Sequence, residues 1–363
     1  VPDVIVIGGG VMGLAAAREI RKRGLAVTLL ERGQTGRAAS WASAGIVGAP
    51  TGPSNEPGHR LQSLSRRLWP GFAAQLREES GLDPEFRETG CLIPALTADD
   101  AADLDRSIRH GLIEQGRLLT GAEAREIEPG LSPAAIAAAW RPAGNVENRR
   151  LCKALELVDR QLGVEIRTGA EVRSIVYAKD RAAGVELVDG TLAADQVVVA
   201  AGAWSGSLPG CRPALPVVPQ RGQILALDRG SVAVNHVVMA PDDPYLVPRA
   251  DGRIVIGATR EMAGWDASTT AGGIGWLLAS AIQLVPALAQ CVVHEIWTGF
   301  RPLSRDGVPF IGQGAAEGLY VVTGHGPSGI GPMPGTIALL VALMFGEAPP
   351  LDPTPFDPLR FAS

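Results

Sequence analysis

Apolar and polar positions follow three rhythms at the start of the chain. Residues 4–7 are an unbroken β-branched run, residues 11–22 an alanine-rich stretch of helical character, and residues 25–30 a second apolar run closing at Glu31. Arg21, Lys22 and Arg23 followed by Gly24 form a helix stop, with cations in the last turn and glycine just past it. The opening segment therefore predicts a β–turn–α–β unit. Further on, Leu61, Leu64, Leu68, Phe72 and Leu76 recur at helical spacing, with Pro70 expected to kink or break the helix. Thr97 with Asp100, and Thr120 with Glu123, are capping-box pairs that open two helices. Asn148 is expected to cap another, whose Leu151, Leu155, Val158 and Leu162 line one face. Strands are expected at 164–167, 171–177, 184–188 and 197–200, and residues 215–300 read mostly as strand. Among these, Asp251-Gly252 turns a hairpin over 245–258, and one helix interrupts at about 272–289. A last apolar strand at 319–323 leads through a Gly/Pro-rich turn into an apolar helix at 335–346.

Size and composition narrow the class. A chain of 363 residues predicts two domains at roughly 100–200 residues each. With 46% apolar and 20% charged residues it is globular in composition, neither disordered nor fibrous. The net charge is −5 and the basic residues are scattered, so no nucleic-acid footprint is present. Cys91, Cys152, Cys211 and Cys291 are isolated, with no histidine at ligand spacing. No metal site or disulfide framework is expected, and a reducing cytoplasm fits best. The first strand is expected within about three residues of the start, so no signal peptide is expected. The apolar run at 337–345 is far short of the ~20 residues that span a bilayer. The expectation is a soluble cytoplasmic protein with no membrane or nucleic-acid partner.

The chemistry begins at the first turn. Gly8, Gly10 and Gly13 form G-x-G-x-x-G between strand and helix, and Glu31 closes the next strand. The first glycine permits the tight turn, the second admits a pyrophosphate, the third lets helix pack on strand, and the helix amides meet the phosphates. Glu31 suits ribose hydroxyls and would repel a 2′-phosphate. This fingerprint with its acid predicts a dinucleotide site, NAD or FAD. An NAD domain would continue through a third parallel strand nearby. Instead this chain inserts over a hundred residues before returning with VVVAAGAWS (197–205) and LYVVTGHGPSGIG (319–331).

Together with the small-residue segment ASWASAGIVGAP (39–50), these motifs resemble the D-amino-acid oxidase family of FAD-dependent oxidoreductases along nearly the whole chain. Glycine oxidases are the most alike and sarcosine oxidases more distant. The resemblance implies an α/β fold, with a Rossmann-like FAD-binding domain interleaved with an α+β substrate domain built on a large antiparallel sheet. The FAD domain is expected over 1–80, 148–212 and 300–363, and the substrate domain over 81–147 and 213–299. The implied FAD contacts are Gly8, Gly10, Val11, Met12, Gly13, Glu31 and Arg32 at the first turn and second strand. Ala39, Ser40, Ala44, Gly45 and Ile46 would line the flavin, and Val172 the adenosine side. Ala201, Gly202, Trp204, Arg301, His325, Gly326, Pro327, Ser328, Gly329 and Ile330 complete the set. Relatives that attach FAD covalently use a cysteine near the substrate arginine. Cys291 stands ten residues before Arg301, so non-covalent FAD is expected. The last helix would aim its free amides at the flavin's pyrimidine end and stabilise the anionic reduced form. Family members form dimers or tetramers, so a homo-oligomer is expected.

Flavin amine oxidation asks the protein mainly to position a carboxylate, a Cα and a neutral amine. Arg301 matches the family's carboxylate-binding arginine, whose planar fork suits that task. Tyr245 matches a pocket-closing tyrosine, though a packed strand tyrosine is an equal reading. His325 is expected to shape its turn rather than act as a base. Two departures stand out: Pro327 where glycine oxidases commonly carry a second arginine, and Arg260 where they commonly carry methionine. The relocated arginine predicts a substrate with a second anionic group, an N-substituted glycine such as an N-carboxymethyl amino acid, oxidised with O2 to glyoxylate, an amine and H2O2. Arg260 turned to solvent is the plainer reading. A D-amino-acid dehydrogenase passing electrons to a quinone, an NAD-linked dehydrogenase and a lapsed flavin-binding protein are the competing functions.

Overall fold

The computed structural model describes residues 1–48, 52–240 and 244–362. Its organising layer is a six-stranded sheet in the order Phe310–Gln313, Leu319–Thr323, Gln196–Val199, Val4–Ile7, Val27–Glu31 and Glu165–Thr168. All neighbours are parallel except the first pair. The strands of this sheet thus come from the beginning, middle and end of the chain. The central ones are predominantly apolar because both of their faces are covered, as parallel sheets require. Helices Val11–Lys22, Pro57–Ser80, Asn148–Gln161 and Met333–Phe345 contribute to the core against one face. A three-stranded sheet over 174–193 helps cover the other.

The second layer is an eight-stranded sheet in the order Val292–Ser304, Val217–Asp228, Arg253–Gly257, Tyr245–Pro248, Val237–Met239, Cys91–Ala95, Ala137–Arg141 and Arg117–Thr120. It is antiparallel except where Val237–Met239 meets Cys91–Ala95. Helix Ala271–Leu284 packs Leu277, Ala281 and Leu284 on the face carrying Leu225, Leu227, Ile254 and Ile256. The expected helix at 272–289 ends early: Val285 precedes Pro286, a position that disfavours helical backbone, and a short 3-10 turn follows.

Three other expectations change. Pro70 neither breaks nor ends its helix, which runs from Pro57 to Ser80. The proline sits on the exposed side, so the carbonyl it leaves unbonded can face water. The buried stripe is Leu61, Ser65, Trp69, Ala73 and Leu76, with Leu68 exposed, because Trp69 is wholly buried and donates its indole N–H to Gly331 O at 2.7 Å. Asn148 is not the cap of its helix. Glu147 is, accepting from the Arg150 amide at 2.7 Å, and this frees the Asn148 side chain for another task. The strand expected at 171–177 forms only over Ser174–Ala178. Both capping boxes and the Asp251-Gly252 hairpin form as expected.

Asp159 is wholly buried in helix Asn148–Gln161, and neither carboxyl oxygen has a hydrogen-bond partner among the described residues. Burial pushes its pKa up to about 8; Arg18 opposes the rise and Glu156 and Glu19 add to it. An unfolded aspartate titrates near ~3.9, so the unfolded state gives up this proton first and stability falls as pH rises from there toward about 8. Asp159→Asn is expected to raise the melting temperature by a few °C at pH ~7.5 and by progressively less toward pH ~4, measured by calorimetry.

Candidate active site

Between the two large sheets lies an elongated cavity of about 1050 Å³. Every cofactor and substrate residue expected from the sequence lines it except Gly13. Gly13 acts one layer down: a Cβ there would sit 1.8 Å from Gly8 O, so only glycine lets the first helix approach its strand. Gly8 itself has φ +106°, and a Cβ would meet Ala200 O at 2.5 Å. Helix Val11–Lys22 starts from Gly10 with no side-chain cap of its own. The Val11 amide is instead taken by Ser40 Oγ at 2.9 Å, which joins the phosphate turn to the small-residue segment. Glu31 accepts the Gly9 and Gly33 amides, both at 2.8 Å, so its carboxylate is fixed at the cavity wall. Arg32 stacks on the Trp204 ring at 3.7 Å beside it.

The small-residue segment folds as a short helix, Ala39–Ala42, and a short strand, Ile46–Gly48; residues 49–51 lie outside the described residues. Its backbone oxygens are held by three side chains that sequence reasoning missed. Asn148 donates to Ser40 O and Trp41 O at 2.8 and 2.9 Å. Trp297 donates to Ala42 O at 3.0 Å. Arg249, only 4% exposed, donates to Ala44 O, Val146 O and Asn148 Oδ1 at 2.7–2.9 Å. Gly45 has φ +62° and presses on Val146 O, where a Cβ would lie at 2.1 Å.

At the other wall, His325 is buried and its Nε2 lies 3.1 Å from Thr336 Oγ1. Burial lowers its pKa to about 3, so the ring is neutral at physiological pH. The last helix begins at Met333, and its amides are not free as expected. The Met333 amide bonds to Ile330 O, Pro334 has none to give, and the Gly335 amide goes to Ser65 Oγ at 3.0 Å. What faces the cavity is the preceding turn, residues 325–332.

Arg301 lies on strand Val292–Ser304 and lays its guanidinium flat across Gly222 of the adjacent strand, where a Cβ would come within 2.8 Å of it. Its Nη1 donates to Thr259 O at 2.9 Å. Tyr245 crosses Gly257 in the same way, with a Cβ there 2.6 Å from its hydroxyl. Past Gly257 the chain stays beside the 217–228 strand: Arg221 and Glu261 exchange backbone hydrogen bonds at 2.9 and 3.0 Å, which sets Arg260 opposite Gly222. Arg260, Arg301 and Tyr245 therefore share one wall. Arg141, a buried arginine at the end of its strand, also reaches the cavity. Lying among alanines, it gave no sequence signal.

A profile of the family described as FAD dependent oxidoreductase matches residues 3–343. The chain belongs to this family. It is similar to a glycine oxidase of Pseudomonas aeruginosa, 37% identical with 98% of each chain covered. Its fold superposes on the glycine oxidase of Geobacillus kaustophilus with a TM-score of 0.93 at 34% identity, covering 100% of this chain and 99% of the other. An iminodiacetate oxidase from a Chelativorans species gives 0.88 at 28% identity, covering 98% of each. The cavity fits the family's cofactor: the glycine turn leaves room where a Cβ would clash, and Glu31 is set at the end of the second strand. Cys291 is not among the cavity residues and lies ten residues along an extended strand from Arg301, a span of about 33 Å.

Removing Arg249 would leave buried carbonyls without donors, at a cost of about 1–3 kcal/mol each. Arg249→Ala is expected to purify with flavin-to-protein absorbance reduced at least about twofold after gel filtration. Full retention of yellow colour would count against the clamp.

Proposed function

We propose that this FAD-dependent oxidase acts on an N-substituted glycine that carries a second carboxylate, such as an N-carboxymethyl amino acid. The observation that carries this reading is the pairing of Arg301 and Arg260 on one wall, either side of Gly222. Arg301, held by Thr259 O, meets the glycyl carboxylate with its planar fork. Arg260, on the neighbouring strand, meets the second anionic group. Tyr245 packs at the same wall and limits the pocket. His325, neutral and hydrogen-bonded to Thr336, stays outside proton transfer and holds the turn. A bound FAD would supply the two-electron acceptor for the Cα–N unit, with O2 as the terminal oxidant. The balanced reaction is R–NH–CH2–COO⁻ + O2 + H2O → R–NH2 + OHC–COO⁻ + H2O2. The similarity to an iminodiacetate oxidase supports a dianionic substrate.

Two smaller readings accompany this one. The four free cysteines suit a cytoplasmic location, and among the described residues no helix is long and apolar enough to cross a membrane. Self-association is supported by helix Ala271–Leu284, which carries no charged residue and exposes Trp276 by 42%.

Arg260→Met is expected to lower kcat/KM for iminodiacetate by about 10- to 100-fold, a loss of ~1.4–2.7 kcal/mol, while glycine and sarcosine change less than about threefold. Equal values for all three substrates would remove the dianion reading. Peroxide coupled one-to-one to amine release distinguishes an oxidase from a quinone-linked dehydrogenase.

A further inference from the structure

We propose that Glu261 is a positioning residue that fixes both arginines of the substrate wall from the opposite face of the sheet; this rests on Arg301 and Arg260 being the substrate contacts. Strand Arg253–Gly257 does not end its pairing at Gly257. Residues 259–261 continue beside 221–223, with Thr259 N–H on Gln223 O at 3.3 Å and the reciprocal Arg221–Glu261 bonds beyond it. Side chains alternate along such a segment. Thr259 and Glu261 fall on the face that carries Arg221 and Gln223, so Arg260 falls on the cavity face.

Beside these backbone bonds, the Glu261 side chain ties the short extension to its neighbouring strand. Its carboxylate collects Arg221 Nε at 3.1 Å, the Arg221 Nη2, Gln223 Nε2 at 2.8 Å and the Thr259 hydroxyl. Four donors fill the acceptor positions of one carboxylate. Gln223 is wholly buried and Arg221 nearly so, which leaves them no competing water. Partial burial pushes the Glu261 carboxyl up, but the hydrogen bonds from Thr259, Arg221 and Gln223 outweigh it and keep it ionised. A slip of one residue would turn Arg260 away from the cavity. It would also move the Thr259 carbonyl that receives Arg301. One carboxylate outside the cavity therefore sets the spacing of two guanidiniums inside it.

The test uses FAD-loaded Glu261→Gln, which keeps size but replaces an acceptor with a donor. KM for iminodiacetate is expected to rise about tenfold or more and KM for glycine about threefold, with kcat within about threefold of the parent. Glu261→Asp, which restores the charge, should recover part of the loss. Unchanged KM values for both substrates, with only a lower melting temperature, would reduce Glu261 to a structural role and overturn the proposal. If Arg260→Met leaves iminodiacetate kinetics untouched while Glu261→Gln still raises KM for glycine, the dianion reading fails and Glu261 keeps its role through Arg301. Should Glu261→Gln not fold, Thr259→Val removes one anchor and is expected to raise KM for iminodiacetate a few-fold; no change there overturns the proposal equally.

Discussion

A buried guanidinium helps to join the layers of this molecule. Arg249 leaves the hairpin of the eight-stranded sheet and directs Nη1 and Nη2 to Val146 O, Ala44 O and the Asn148 side chain, all belonging to the segments that border the six-stranded layer. Burial disfavours the charged form, with Glu147 acting in the opposite sense. A cation held in so little water persists only because oxygens surround it. The small-residue segment has almost no side chains with which to pack, so its position depends on having its carbonyls held. Asn148 and Trp297 complete that hold, and the wall of the cavity follows from it.

The same division between local and long-range information decides what could be read in advance. Strand–glycine–helix, two capping boxes and an Asp-Gly hairpin are local devices, and each forms where its residues predict. Pro70 does not break its helix and Asn148 does not cap its own, and in both places tertiary contacts bear on the outcome. Trp69 donates to Gly331 O, and the helix continues past a proline that faces outward. Asn148 is drawn off its cap position by the backbone of residues 40 and 41, and its neighbour Glu147 takes over.

At the site, residues inside contiguous motifs were legible: the glycine turn, Glu31, and the turn around His325. Arg301 and Tyr245 became legible through likeness of motif, and Arg260 through departure from it. Gly222, Gly257 and Arg249 were not, because their meaning is a cross-strand neighbour. A glycine that a guanidinium or phenol ring must cross looks like any other strand glycine until the register is known. The fate of the last helix illustrates the converse. Its dipole was legible, but the contacts that occupy its amides come from Ser65, far away in sequence.

The row formed by Gly299, Gly222 and Arg260 across three adjacent segments has a consequence for how such a pocket changes in evolution. Gly299 is pressed by Ala42, where a Cβ would lie at 2.4 Å, and Gly222 is covered by Arg301. Neither can acquire a side chain without displacing Ala42 or the Arg301 guanidinium. Of these three positions, only 260 carries a side chain. On the proposed reading, a new amine substrate is accommodated at position 260 while the sheet backbone around it stays as it is.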